Sequence, residues 1–164
     1  MNITHKLSLS VQYATESKNL PTRPQFRRWV KAALHPQGVR RRVPGSIAAT
    51  LPLQRDVHIV LRLVDESEGR ALNKNFGGTD YATNVLTFVH DDESVLHGDL
   101  ALCVPVVEKE AREQRKDLHA HYAHLTIHAA LHLRGYDHKN DAEATAMESS
   151  ETAIMHKLGY ANPY

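Results

Sequence analysis

The chain carries a single cysteine, Cys103, among 164 residues. No intramolecular disulfide can brace it, which fits a reducing compartment such as the cytosol. Cys103 lies in the apolar run LALCV and reads there as a small buried hydrophobe rather than a reactive thiol. An excess of one charge is missing too: 20 Lys and Arg stand against 19 Asp and Glu, for a net charge of +1. Without a global basic field, any nucleic-acid contact has to come from a local patch. No run approaches the ~20 apolar residues of a membrane span, and the N-terminus has no apolar signal core. A cytoplasmic protein with no membrane partner is therefore expected. Internal repeats and linker-like segments are absent as well. With 41% hydrophobic and 24% charged residues, ordinary values for a soluble globular protein, residues 1–164 are expected to form one domain.

The apolar pattern predicts the elements. KLSLSVQYA alternates Leu7, Leu9, Val11 and Tyr13 with polar neighbours, as a half-buried strand does. After Pro21 and Pro24, the residues Phe26, Trp29, Val30, Ala33 and Leu34 recur at helical spacing. HPQGVRRRVPGS, with two prolines and two glycines, reads as a loop. VHIVLRLV, at 57–64, is apolar on both faces and predicts a central strand. Asp65 and Glu68 have capping-box spacing for a helix over DESEGRALNKNF. NVLTFV and GDLALCV are two further strands joined by the acidic turn HDDES. Pro105 can sit in the first turn of the next helix, VVEKEAREQRK, whose Glu108 and Arg112 stand four apart on a solvated face. From Leu118 to Arg134 a helix is apolar almost all round apart from its histidines, so it belongs in the middle of the domain. A last helix, Asp141 to Leu158, places Met147, Ile154 and Leu158 on one face and ends at Gly159. The order β-α-β-α-β-β-α-α-α predicts an α+β fold, with a small mixed sheet of about four strands packed by about five helices.

What the chain has in excess is histidine, 12 in all, clustered between 119 and 138. His121, His124, His128 and His132 form a stripe along one side of the central helix. Stacked imidazoles without a metal would each need a separate polar partner, which favours a shared ion. His124, His128 and His132 would span about 12 Å at 1.5 Å per residue, too far for one ion with Zn–N near 2 Å. A pair one turn apart plus a third ligand delivered by a turn is feasible. Gly135 supplies that turn, since glycine takes the left-handed conformation just past a helix end. The spacing therefore favours His128, His132 and His138, with His124 beside them in an outer shell or in the core. Asp137 either orients an imidazole or stabilises the turn. The pattern H-x-x-x-H-x-x-G-x-x-H is that of the metzincin metalloproteases, whose general-base Glu follows the first His. Here that position is Ala129, which accepts no proton, so the metal site survives the comparison and the protease does not.

HAALHLRGYDH also resembles the zinc-binding motif of the bacterial YbeY family, endoribonucleases implicated in ribosomal RNA maturation. GDLALC, VVEKEAREQ, TNVLTF at 83–88 and LGYANPY are similar to that family in the same order, over roughly residues 55 to 164. The resemblance implies one Zn²⁺ at His128, His132 and His138, a small α+β fold with a cleft over the metal, and cytoplasmic action on RNA. It further implies a single-strand-specific endoribonuclease in 16S rRNA 3′-end maturation and ribosome quality control, with ribosomal proteins as further partners. Two positions depart from the family. Ala129 stands where the family usually has Gly, and NFGGTD replaces a typical Tyr-Arg-Gly-Lys-Asp, so that Gly77 occupies the position of the Arg and Thr79 that of the Lys. Arg70, two helical turns earlier, is the candidate to supply a guanidinium to the same cleft.

Three neutral imidazoles leave Zn²⁺ its double charge and an open position, an arrangement that lowers the pKa of a water to ~7 and polarises a phosphoryl oxygen. RNA offers its own 2′-OH as an alternative nucleophile. Its phosphates also need cations, and Arg40, Arg41 and Arg42 with Arg27 and Arg28 form the best basic cluster. The competing readings are a ribosome-assembly factor with a structural zinc and a metal-dependent hydrolase of small substrates.

Overall fold

Alternation of apolar and polar residues sets the register of the sheet. In the computed structural model, which describes residues 5–35, 55–92 and 94–164, β1 (Leu7–Ala14) pairs in parallel with β2 (Asp56–Val64). β2 in turn pairs in parallel with β4 (Val95–Cys103), and β3 (Val85–Asp91) runs antiparallel to β4 as an edge strand. The order β1-β2-β4-β3 makes the sheet mixed and puts β2 inside it, as its sequence predicts. Val57, Ile59, Leu61 and Leu63 of β2 point with Leu96, Leu100 and Leu102 of β4 into the core. The opposite face is less apolar than expected. His58 and His97 stand exposed there, opposite each other in the register.

Most of the helices cover the inner face, whereas the short one after β2 sets Gly69 against Val64 and Cys103 at one end of the outer face. α1 (Arg23–Leu34) opens with a complete capping box between Thr22 and Gln25 and buries the five residues its spacing marks, Phe26, Trp29, Val30, Ala33 and Leu34. α2 (Glu66–Leu72) starts at Asp65 as predicted, but without the predicted capping box. The Asp65 carboxylate accepts from the Thr15 hydroxyl, and Glu68 pairs with Arg62 at 2.7 Å, so tertiary partners take both side chains. A π-helical turn, Asn73–Gly77, continues α2 and ends at Gly78.

α3 (Val104–Glu113) carries Pro105 in its first turn, and α4 (Leu118–Leu133) follows, capped by the Asp117 carboxylate on the Ala120 N–H. α4 packs against α1, β3, α3 and α5 (Asp141–Lys157), which explains why it is apolar all round. Its C-terminal end comes close to the sheet because β4 has Gly98 there. A Cβ on Gly98 would stand 2.7 Å from the Leu133 side chain. This approach sets the histidine end of α4 beside β3. Cys103 is buried, as expected. Arg40, Arg41 and Arg42 lie outside the described residues. Arg27 donates to the Leu7 carbonyl and Arg28 is exposed.

Candidate metal centre

α4 places two of the three imidazoles. His128 and His132 are one turn apart, and their Nε2 atoms stand 3.1 Å from each other. Two nitrogens on one tetrahedral ion at about 2.0–2.1 Å lie roughly 3.3 Å apart, so the pair is already at ligand separation. The turn delivers the third. Gly135 has φ +94°, its N–H donates to His132, and the Tyr136 N–H reaches back to Leu131. These are the two bonds of a Schellman cap, and they reverse the chain just where the sequence places the glycine. His138 then meets the pair. One nitrogen from each of His128, His132 and His138 lies within 4.8 Å of the other two.

Asp137 holds the turn. Its Oδ1 accepts the His138 N–H at 2.8 Å, and its other oxygen faces the Lys139 ammonium at 3.4 Å. That backbone hydrogen bond is the main reason its carboxyl lies below the usual range.

A residue the sequence did not single out organises the site from behind. Glu151 on α5 is fully buried and accepts from His128 Nδ1, from His124 Nε2 at 2.8 Å and from the Tyr164 hydroxyl. Burial alone pushes its carboxyl up. The hydrogen bonds from His124, His128 and the Tyr164 hydroxyl reverse that and hold it at about 2. An ionised carboxylate only accepts, so the proton of His128 must sit on Nδ1 and the Nε2 lone pair faces the open side. His124, with its Nε2 on Glu151, is a neighbour of the triad and not a member of it. The missed signal was a carboxylate at position 151, four after Met147 on the apolar stripe of α5.

The open side is a cleft of about 550 Å³ between the triad, the turn at Gly135–Asp137, Asn84, and Val85, Leu86, Thr87 and Val89 of the edge strand. Asn84, at its rim, donates to the Glu110 carboxylate, which also contacts His121 Nε2 at 2.8 Å. Arg70 is not among the lining residues. Its guanidinium forks onto Asp80 at 2.7 and 3.2 Å, so the structure does not bring it to the triad.

Burial pushes the His132 imidazole below its ordinary 6.5, and His128 and His138 push the same way. At neutral pH the ring is therefore in the deprotonated form that a metal requires. Metal affinity is expected to hold at neutral pH and to fall as pH drops below about 6.5, where protons compete for the ligand nitrogens. Metal occupancy followed from pH 8 to pH 5 checks this, and a flat profile contradicts histidine ligation.

Comparison with known proteins gives the site a context. A family profile described as Endoribonuclease YbeY matches residues 12–159. An Endoribonuclease YbeY of Nitrosomonas europaea is 48% identical over 159 residues, covering 97% of this chain and 85% of the relative. That of Methylobacillus flagellatus is likewise 48% identical, over 97% of this chain and 94% of its own. Among solved structures, a Thermotoga maritima protein determined in solution is 25% identical and superposes with a TM-score of 0.55 over 91% of each chain.

Proposed function

The chain belongs to the YbeY family, and from that premise we propose that it is a zinc-dependent endoribonuclease acting on single-stranded RNA. Maturation of the 16S rRNA 3′ end and ribosome quality control, in the cytoplasm and among ribosomal proteins, are the setting we assign to it. The observation that carries the reading is the convergence of His128, His132 and His138 at the floor of an open cleft. Three nitrogen donors at these separations suit Zn²⁺ with a position left open. Bound there, the ion supplies an acidified water and a Lewis acid for a phosphoryl oxygen.

The chain's own groups do the rest. Glu151 fixes the His128 ring, and the turn at Gly135 fixes His138. Among the described residues β3 pairs on one side only and borders the cleft, so main-chain N–H and C=O groups along its other side can hydrogen-bond an extended strand of RNA. Arg70 can add a phosphate contact only by releasing Asp80. The test is cleavage of single-stranded ribosomal RNA fragments by metal-free and zinc-loaded protein. Metal-dependent cleavage is expected. Zinc bound without any cleavage would favour the assembly-factor reading instead.

Gly77 allows a second test of phosphate binding. A Cβ there would stand 2.3 Å from Asn73 Oδ1, and the Asn73 amide is held on the Tyr81 carbonyl at 2.7 Å. Gly77→Arg thus adds crowding as well as charge, and Gly77→Ala adds the crowding alone. The same Cβ would lie 3.9 Å from Leu86, a cleft residue. Relative to Gly77→Ala, Gly77→Arg is expected to tighten RNA binding about tenfold, since a charge-assisted hydrogen bond contributes about 1.5–3 kcal/mol. Equal affinities of the two variants would exclude a phosphate contact at this position. Arg70→Ala, measured beside them, reads the contribution of that guanidinium.

A further inference from the structure

The outer face of the sheet, turned away from the helices that carry the triad, is lined by rings. His58 on β2 lies opposite His97 on β4, with ring centroids 5.2 Å apart. His97 lies opposite His90 on β3, and Phe88, two residues before His90, shares its face. Phe88 meets Phe76 of the π-helical turn edge to face at 5.5 Å. The strip therefore runs Phe76, Phe88, His90, His97, His58 across three neighbouring strands.

Among the described residues, no packing partner accounts for the exposure of its outermost ring. Phe76 is 69% exposed, although a single buried phenylalanine is a substantial gain for a small core. It also stands on a π-helical turn, a local geometry that recurs at functional sites. Beside the rings, Ser8, Ser10 and Asp99 line a shallow depression of about 360 Å³ with the three histidines, and Asp99 contacts His90 Nε2 at 3.3 Å.

We propose that this strip is a base-stacking platform for single-stranded RNA, continuous with the cleft around the free edge of β3. The inference rests on the endoribonuclease reading. Unpaired bases stack on Phe and His rings whatever their identity, whereas a duplex hides its base faces. Ser8, Ser10 and Asp99 provide donors and acceptors for base edges. Arg70 and Lys74, on the segment that carries Phe76, stand against one carboxylate, Asp80, so a positive charge is left for the backbone. The path between the two regions is short, because β3 contributes Val85, Leu86, Thr87 and Val89 to the cleft and Phe88 and His90 to the strip.

The probe is a fluorescent ten-nucleotide 2′-O-methyl RNA, which lacks the free 2′-OH, used single-stranded and as a duplex at pH 8 with the zinc-loaded full chain. Phe76→Ala and the double variant His58→Ala/His97→Ala change exposed side chains, so folding is expected to be kept, as circular dichroism will verify. Each is expected to weaken single-strand binding about tenfold, in line with the loss of one stacked base, and to leave duplex binding unchanged. Phe76→Leu keeps the apolar bulk without the ring and should not rescue. Wild-type binding of the single strand with undiminished binding by both variants overturns the platform, leaves the endoribonuclease reading standing and makes a protein partner the better occupant of this face. Failure of the wild type to bind the single strand overturns both.

Discussion

His132→Ala is expected to strip the protein of stoichiometric metal and to abolish RNA cleavage. His132 is the middle member of the triad, 3.1 Å from His128 Nε2 and with its ring centroid 5.2 Å from that of His138. Removing it leaves two imidazoles with ring centroids 5.9 Å apart, one of them exposed. The loss of affinity should exceed the 10–100-fold typical of an outer hydrogen-bonding partner. Metal content after dialysis reads this directly. Thermal melting gives an independent reading, because an ion at a hundred times its Kd stabilises the folded chain by about 2.7 kcal/mol. Added zinc should raise the Tm of the wild type and leave that of His132→Ala where it was. Full metal retention by this variant would place the ion elsewhere, and His128→Ala would then be expected to retain it too.

Features that depend on neighbours in sequence were legible, and features that depend on packing between distant segments were not. The α1 core face follows from spacing and a local capping box, so all five buried residues could be named in advance. The convergence of His128, His132 and His138 needs only one helical turn and one left-handed glycine within eleven residues, and it was readable for that reason. Asp65 and Glu68 show the opposite case. Their capping spacing is real, but Thr15 and Arg62 on other strands or loops compete for the carboxylates and win. Arg70 likewise has a basic side chain near the family's missing Arg in sequence, yet Asp80 takes its guanidinium. The outer sheet face was misjudged because VHIVLRLV is apolar in composition while its exposed residue, His58, depends on what fails to cover it. Glu151 lies 23 residues beyond His128 on another helix, and only the α4–α5 packing joins them.

Glu151 carries the second large effect. Among the described residues it is the buried acid on which three donors converge, and its carboxylate alone dictates which nitrogen of His128 holds the proton. In Glu151→Ala, His124 Nε2, His128 Nδ1 and the Tyr164 hydroxyl lose their acceptor together. His124 is buried and His128 half-buried, while Tyr164 is exposed. A buried donor left unsatisfied costs about 1–3 kcal/mol, so a loss of roughly 2 kcal/mol in stability is expected. That result alone would not separate a structural acid from one that sets the metal site. Glu151→Gln separates them. The amide keeps the volume but offers an N–H₂ where an oxygen had accepted, so the His128 ring is no longer forced into the Nδ1-protonated form. Zinc affinity, measured by competition with a chelator, should fall about 10–100-fold in Glu151→Gln. Tyr164→Phe removes one donor and leaves the His128 contact in place, so it should change zinc affinity far less. If Glu151→Gln melts earlier than the wild type yet binds zinc equally well, the carboxylate serves packing alone. If its affinity falls while Tyr164→Phe keeps the wild-type value, the proton on His128 Nδ1 is what prepares the opposite nitrogen for the ion.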